Sequence, residues 1–199
     1  MKLSNMKIGE TINLSDNAHI TRTLDGYLNE TGSLVVRTEG AITPTIEESL
    51  FSVKVHEAIV EFIRSEAFLV ENDQNNFKRK GAHNLPFFIY IHKQLEEVAS
   101  EIFGEPVKAS YNYLSLYNEN GVCPFHTDRP QCKFTIDYCI DQDQTWDIWV
   151  DDKNYTLKPN DALCYSGTDS PHFREKIKGK YCWLVFFHFV PVNFLERLD

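Results

Sequence analysis

The sequence has no long hydrophobic run, no paired cysteines and no excess of basic residues. No stretch approaches the roughly 18 apolar residues of a membrane helix, and Met1–Glu10 has no apolar signal-peptide core. The five cysteines form no CxxC pair, so we expect free thiols in a reducing cytoplasm. The net charge of -9 disfavours nucleic acid as a partner, because phosphate binding depends on Lys and Arg.

The composition is that of a globular protein, with 42% hydrophobic and 25% charged residues in a chain of 199. One domain over residues 1–199 is therefore predicted. Residues 1–106 should contain short strands and two supporting helices, one from Phe51 to about Val70 and one from Pro86 to Gly104. The polar segment Asn72–Asn84 between the helices is predicted to be a loop and is a candidate lid.

From Val107 onward the sequence changes to β-strand patterns. Alternating residues recur in several short segments, separated by turn signals such as Pro159-Asn160-Asp161. Closely spaced strands of this kind are typical of a sandwich or barrel. The sequence therefore predicts a mainly β fold with supporting α-helices, a double-stranded β-helix (jelly roll) whose core spans residues 107–190.

The sharpest motif is His126-Thr127-Asp128, followed later by His172. Residues i and i+2 of a strand point to the same side, so His126 and Asp128 can reach one metal ion. Two histidines and one carboxylate form the facial triad of non-haem iron(II) oxygenases, which leaves open coordination positions. A lone His-x-Asp also occurs by chance, and His172 by itself would more often be a surface or core residue. The candidate catalytic and metal-binding residues are thus His126, Asp128 and His172.

A basic residue, Lys180, precedes a strongly apolar segment eight positions after His172. If the lysine points inward it needs an anionic partner, because burying an unpaired charge is costly. If it lies at the strand end in solvent, it needs none. Both orientations remain open from the residues alone.

Together, Tyr117, His126-x-Asp128, His172 and Gly179-Lys180-Tyr181 resemble the 2-oxoglutarate/Fe(II)-dependent dioxygenases, especially the prolyl-hydroxylase-like branch. The resemblance covers about Val107 to Val190. It implies that the two histidines and the aspartate bind Fe(II), that 2-oxoglutarate chelates the metal, and that O2 takes the last open position. It further implies that Lys180 pairs with the C5 carboxylate of 2-oxoglutarate.

The same resemblance gives tyrosines a supporting role in holding 2-oxoglutarate. Tyr117 and Tyr138 share the alternation of the expected inward strand faces, and Tyr113 is a weaker candidate. Each of them could equally be an aromatic core residue whose hydroxyl has found some partner.

Arg129 and Arg174 flank the expected ligand positions and are candidates for binding a substrate carboxylate; the alternative for each is a solvated surface charge. The predicted activity is hydroxylation of an unactivated C–H bond in an amino acid or a peptide or protein side chain. Three alternatives remain: a jelly-roll sensor, a cupin-type metalloprotein that does not turn over 2-oxoglutarate, and a nucleobase demethylase.

Overall fold

The computed structural model describes residues 7, 11–15, 18–22, 27–28, 34–35, 41–65, 71–72 and 77–198. These residues form antiparallel strands and three α-helices. The strands are β1 (Thr11–Ser15), β2 (Ala18–Arg22), β3 (Tyr27–Leu28), β4 (Leu34–Val35), β5 (Thr45–Glu47), β6 (Glu71–Asn72), β7 (Arg79–His83), β8 (Val107–Asn118), β9 (Cys123–His126), β10 (Phe134–Gln142), β11 (Ile148–Val150), β12 (Lys153–Tyr155), β13 (Ala162–Ser166), β14 (His172–Arg174) and β15 (Tyr181–Pro191).

Two sheets contain the strands of the C-terminal half, and the larger sheet also includes β5, β6 and β7. A seven-stranded sheet has the order β5-β13-β10-β15-β8-β7-β6, and a four-stranded sheet has the order β12-β11-β14-β9. A further small sheet, β1-β2-β3-β4, comes from the N-terminal residues. The predicted mainly β jelly roll with helical support is confirmed, and the antiparallel pairing explains the short, alternating segments of the sequence.

Three helices are described: α1 (Val53–Ile63), α2 (Pro86–Gln94) and α3 (Glu96–Phe103). Their apolar side chains, among them Ile59, Phe88 and Phe103, join one core with the seven-stranded sheet. The second predicted helix is in fact two, since α2 ends at Gln94 and α3 begins at Glu96. None of the helices in the described ranges is long and apolar enough to cross a bilayer.

The prediction that Asn72–Asn84 forms a loop is wrong over much of that segment. Arg79–His83 is strand β7, which pairs with Tyr113–Tyr117 of β8. The polar pattern concealed the strand, because only Gly81 and Ala82 of β7 are buried, while Arg79, Lys80 and His83 are half-buried or exposed. Residues 73–76, where a lid would lie, are outside the described residues.

Both faces of β10 are buried, and they differ in character. Ile136, Tyr138 and Ile140 pack in the core shared with the helices. The alternate residues Thr135 and Asp137 face the space between the two sheets, where Thr135 lies near Asp128 and Asp137 binds Arg174 of β14. The polar face of this central strand therefore lines the interior of the jelly roll.

Candidate metal centre

The two histidines meet because strands β9 and β14 are neighbours. His126 ends β9, His172 begins β14, and the two residues are paired in register with ring centroids 4.3 Å apart. Asp128 lies two residues beyond the end of β9, and its backbone N–H donates to the Gly167 carbonyl over 2.8 Å. Pairing of the strands thus brings His172 next to His126 and Asp128, although His172 lies 46 positions after His126 in the sequence.

The donor atoms of these residues converge. Asp128 Oδ1 lies 3.5 Å from His126 Nε2 and 3.8 Å from His172 Nε2, and one donor atom of each residue lies within 4.8 Å of the others. Bonds from a metal ion to imidazole nitrogen and carboxylate oxygen are about 2.1 Å long, so neighbouring ligands lie about 3 Å apart. Shifts of less than about 1 Å would complete the coordination of a single ion.

Backbone carbonyls orient both imidazoles. His126 Nδ1 is 2.7 Å from the Pro124 carbonyl oxygen, and His172 Nδ1 is 3.0 Å from that of Ser170. Each Nδ1–H donates to its carbonyl, which leaves the Nε2 lone pair directed toward Asp128. The His172 side chain is only 5% exposed, whereas that of His126 is 37% exposed. The centre is therefore closed on one side and open on the other.

The electrostatics suit a metal ion. Burial disfavours the Asp128 carboxylate, but the charges of His172 and His126 outweigh burial and lower its pKa. Burial lowers the pKa of His172 to about 4. Burial lowers the pKa of His126, but the hydrogen bond to the Asp128 carboxylate and the charge of that carboxylate outweigh burial and raise it. The ionised Asp128 carboxylate and the neutral His172 imidazole are in the protonation states that metal coordination requires, and a bound metal ion would displace the proton that the raised pKa favours on His126.

Lys180 does not enter the jelly roll, so it takes the exposed one of the two orientations that the residues left open, and the inward position that the resemblance implied is wrong. Its side chain is exposed, and β15 begins one residue later at Tyr181. The Asp143 carboxylate accepts hydrogen bonds from the backbone N–H groups of Lys180 and Tyr181 at 2.9 and 3.2 Å. These hydrogen bonds hold Lys180 in the bend before β15, outside the interior of the jelly roll.

Tyr138 also points away from the centre, contrary to the prediction. It is fully buried in the core beneath the helices. Its hydroxyl donates to Asn160 Oδ1 over 3.0 Å and lies 2.7 Å from His56 Nδ1. The prediction chose the wrong face because the helices bury the outer side of β10 as completely as the sheets bury its inner side.

Tyr117 and Tyr113 do face the interior. Tyr117 is fully buried, and Arg79 Nη1 donates to its hydroxyl over 3.0 Å. The guanidinium of Arg79 also lies 5.0 Å from the ring centroid of Tyr113. The ring of Tyr113 covers Gly81, where an added Cβ would come within 2.3 Å of the tyrosine oxygen. Arg79 is a residue of this region that the sequence did not single out.

Arg174 is a buried cation within the jelly roll rather than a surface group at its mouth. It lies two residues after His172 on β14 and is 3% exposed. Nη2 donates to Asp137 Oδ2 over 2.7 Å, Nη1 donates to the Trp146 carbonyl, and the guanidinium covers the Trp146 ring. Asp137 is fully buried, and burial raises its pKa against the opposing effect of Arg174.

Arg129 lies where the sequence predicted it, beside Asp128 at the open side of the metal centre. It is exposed, directly follows Asp128, and its guanidinium lies 4.7 Å from the ring centroid of Tyr111. Thr135 and His188 lie behind Arg129, and no sequence pattern indicated either residue. The Thr135 hydroxyl lies 3.5 Å from Asp128 Oδ2 and 3.0 Å from His188 Nδ1. These partners come from β10 and β15, which are distant in sequence.

Comparison with known proteins rests on structure. No family model matches the chain, and no curated protein matches its sequence. HygX from Streptomyces hygroscopicus, with nickel and 2-oxoglutarate bound, superposes with a TM-score of 0.61 at 10% identity, covering 77% of this chain and 84% of HygX. A prolyl-4-hydroxylase from Pseudomonas putida superposes with a TM-score of 0.59 at 11% identity, covering 74% and 92%.

A viral collagen prolyl hydroxylase from Paramecium bursaria Chlorella virus-1, in its 2-oxoglutarate complex, gives a TM-score of 0.59 at 7% identity over 75% of this chain and 96% of the hydroxylase. Structural similarity at these sequence identities establishes the fold, and the chemistry has to be inferred from the residues of the site. The chain has the fold of HygX and of these two prolyl hydroxylases.

Proposed function

We propose that the protein is a 2-oxoglutarate- and Fe(II)-dependent dioxygenase that hydroxylates an unactivated C–H bond of an amino acid or of a peptide or protein side chain. The observation that carries the proposal is the convergence of His126, Asp128 and His172 within 4.8 Å at the open side of the jelly roll. Two imidazoles and one carboxylate occupy one face of an iron ion and leave three positions for co-substrate and O2.

When bound, iron, 2-oxoglutarate and O2 supply the oxidising chemistry, while the protein orients the reactants and excludes water. In this chain, His126 and His172 would present Nε2 and Asp128 would present Oδ1. The closed side of the centre, where His172 is 5% exposed, would shield the reacting groups. Substrate would approach on the side of His126, near the exposed Arg129, which could pair with a substrate carboxylate.

Arg174 replaces Lys180 in the proposal as the partner of the C5 carboxylate of 2-oxoglutarate. Arg174 shares the strand face of His172 and is enclosed with Tyr117, because both side chains pack on Trp146. A guanidinium carries five N–H donors, so it can bind a second carboxylate in addition to Asp137. Tyr117 can then contribute its hydroxyl to the same anion.

The ion pair between Arg174 and Asp137 also favours a second candidate function. A guanidinium already neutralised by a buried carboxylate need not attract another anion, as in a metalloprotein of the cupin type that uses no 2-oxoglutarate. The exposed position of Lys180 favours the same alternative. The two candidates make opposite predictions for 2-oxoglutarate binding.

The test is anaerobic addition of Fe(II) and then 2-oxoglutarate, followed by the visible metal-to-ligand absorption of the chelate. We expect a band in the wild type, no band in His126→Ala, and at least tenfold weaker 2-oxoglutarate binding in Arg174→Lys, because lysine lacks the planar fork. Lys180→Ala is the matched control and should bind 2-oxoglutarate as the wild type does. Iron binding without any band would support the cupin-type function instead.

A further inference from the structure

A second group of metal-ligating side chains lies on the other side of Asp128. Asp128, Cys132 and His188 each offer a donor atom, and these three atoms lie within 4.8 Å of one another. Cys132 is 2% exposed and His188 is 6% exposed. Neither residue belongs to the histidine pair of the proposed iron centre.

The cluster is built from rigid elements. Cys132 ends a short 3-10 helix, Pro130–Cys132, and His188 lies within strand β15. The backbone between Asp128 and Lys133 is held at both ends by Gly167, which accepts from the Asp128 N–H over 2.8 Å and donates to the Lys133 carbonyl over 2.9 Å. The three donors are therefore preorganised by the backbone rather than carried on a free loop.

Two hydroxyls orient the side chains. The Thr135 hydroxyl lies 3.0 Å from His188 Nδ1, and the Tyr111 hydroxyl lies 2.9 Å from Cys132 Sγ. The Tyr111 ring also packs on the His188 ring, with centroids 4.6 Å apart. Hydrogen bonds to ligand side chains are the usual support of a metal site, because they fix the ring orientation and raise ligand basicity.

Asp128 can serve both groups because its two oxygens face different partners. Oδ1 faces the histidine pair at 3.5 and 3.8 Å. Oδ2 lies 3.5 Å from the Thr135 hydroxyl, which in turn reaches His188. An added Cβ on Gly167 would come within 2.4 Å of Oδ2, so the absence of a side chain at this position leaves room for the carboxylate.

The donor types select a different ion from the one expected at the histidine pair. A set of one thiolate, one imidazole and one carboxylate suits Zn(II) and other thiolate-binding ions, with a fourth position left for water. The two imidazoles and carboxylate of the first group suit Fe(II). The donors of the second group would need to converge by about 1 Å to reach bond lengths of 2.0–2.3 Å, a range expected for zinc.

We propose that Asp128, Cys132 and His188 form a second metal site, which takes Zn(II) or a similar thiolate-binding ion and shares the Asp128 carboxylate with the iron centre. Binding at the two sites is then coupled through Asp128. By thermodynamic reciprocity, an ion in the second site changes iron affinity by the same factor by which iron changes affinity at the second site.

The test uses Co(II) alone as the probe, added to metal-free reduced protein under anaerobic conditions. Coordination by Cys132 should produce a near-ultraviolet thiolate-to-cobalt charge-transfer band, which one equivalent of Zn(II) removes. Cys132→Ser and His188→Gln should each lose the band. Thr135→Val should weaken the Co(II) affinity that the band reports by about 10–100-fold, because it removes the hydroxyl that orients His188.

Two control variants keep the result specific. Cys123→Ser removes the half-buried cysteine of β9 and should retain the band. His126→Ala removes a ligand of the iron centre alone and should also retain it, which separates the second site from the proposed oxygenase activity. The proposal is overturned if the wild type gives no thiolate band, if the band survives in folded Cys132→Ser, or if Cys123→Ser abolishes it.

Discussion

Removing the carboxylate of Asp137 should strongly destabilise the protein. Asp137 is fully buried and is bonded over 2.7 Å to Arg174, which is 3% exposed. Asp137→Ala would leave the guanidinium charge buried without its carboxylate, and breaking a buried pair in this way costs about 3–5 kcal/mol. In a chain of this length each kcal/mol lowers the melting temperature by about 2–4 °C. We therefore expect a loss of about 6–20 °C.

Urea unfolding of a double-mutant cycle tests the cause of that loss. Replacing both partners, as Asp137→Leu with Arg174→Met, removes the unpaired charge and should restore most of the stability that Asp137→Leu alone loses. Asp137→Asn, which keeps the volume and an acceptor oxygen, should fall between Asp137→Ala and the wild type. The reasoning fails if Asp137→Ala costs less than about 1 kcal/mol, or if the double variant is as unstable as the sum of its single variants.

Three further predictions concern groups away from this pair. Burial lowers the pKa of His92 from 6.5 to about 3. A group whose pKa is depressed in the folded state contributes stability that is lost as the pH falls from about 6.5 toward 3. His92→Leu should therefore reduce the dependence of the urea midpoint on pH over this window, and an unchanged slope would refute this prediction. Tyr138→Phe loses the hydrogen bonds to Asn160 and His56 and should cost about 1–3 kcal/mol in urea unfolding with Fe(II) affinity unchanged; a changed affinity would place Tyr138 at the metal after all. Gly167→Ala puts a Cβ within 2.4 Å of Asp128 Oδ2 and should weaken Fe(II) binding at least tenfold by calorimetry, whereas wild-type affinity would show that Asp128 is not a ligand.

The parts that the sequence predicted correctly are those encoded locally. The i, i+2 spacing of His126 and Asp128 brings their side chains to one side, while their role as metal ligands stays a prediction. The strand alternation after Val107 carries the fold class. The end of α3 was also predictable, because Gly104 adopts the left-handed conformation, with φ of 72°, that glycine favours at a helix C-terminus.

The parts that could not be predicted depend on contacts between distant residues. The burial of Arg174 follows from Asp137, which lies 37 positions earlier, and no local pattern connects the two. The orientation of Tyr138 depends on helices covering the outer face of β10, so hydrophobicity alone does not distinguish the two faces. The exposure of Lys180 depends on the Asp143 carboxylate, which binds the backbone just before β15.

The most direct test of the central claim is a crystal structure of the anaerobic Fe(II) complex with 2-oxoglutarate, with the metal located by anomalous scattering at the iron edge. We predict iron bound by Nε2 of His126, Nε2 of His172 and Oδ1 of Asp128, chelated by 2-oxoglutarate whose C5 carboxylate contacts Arg174. Iron bound by Cys132 and His188 instead, or a C5 carboxylate remote from Arg174, would contradict this account.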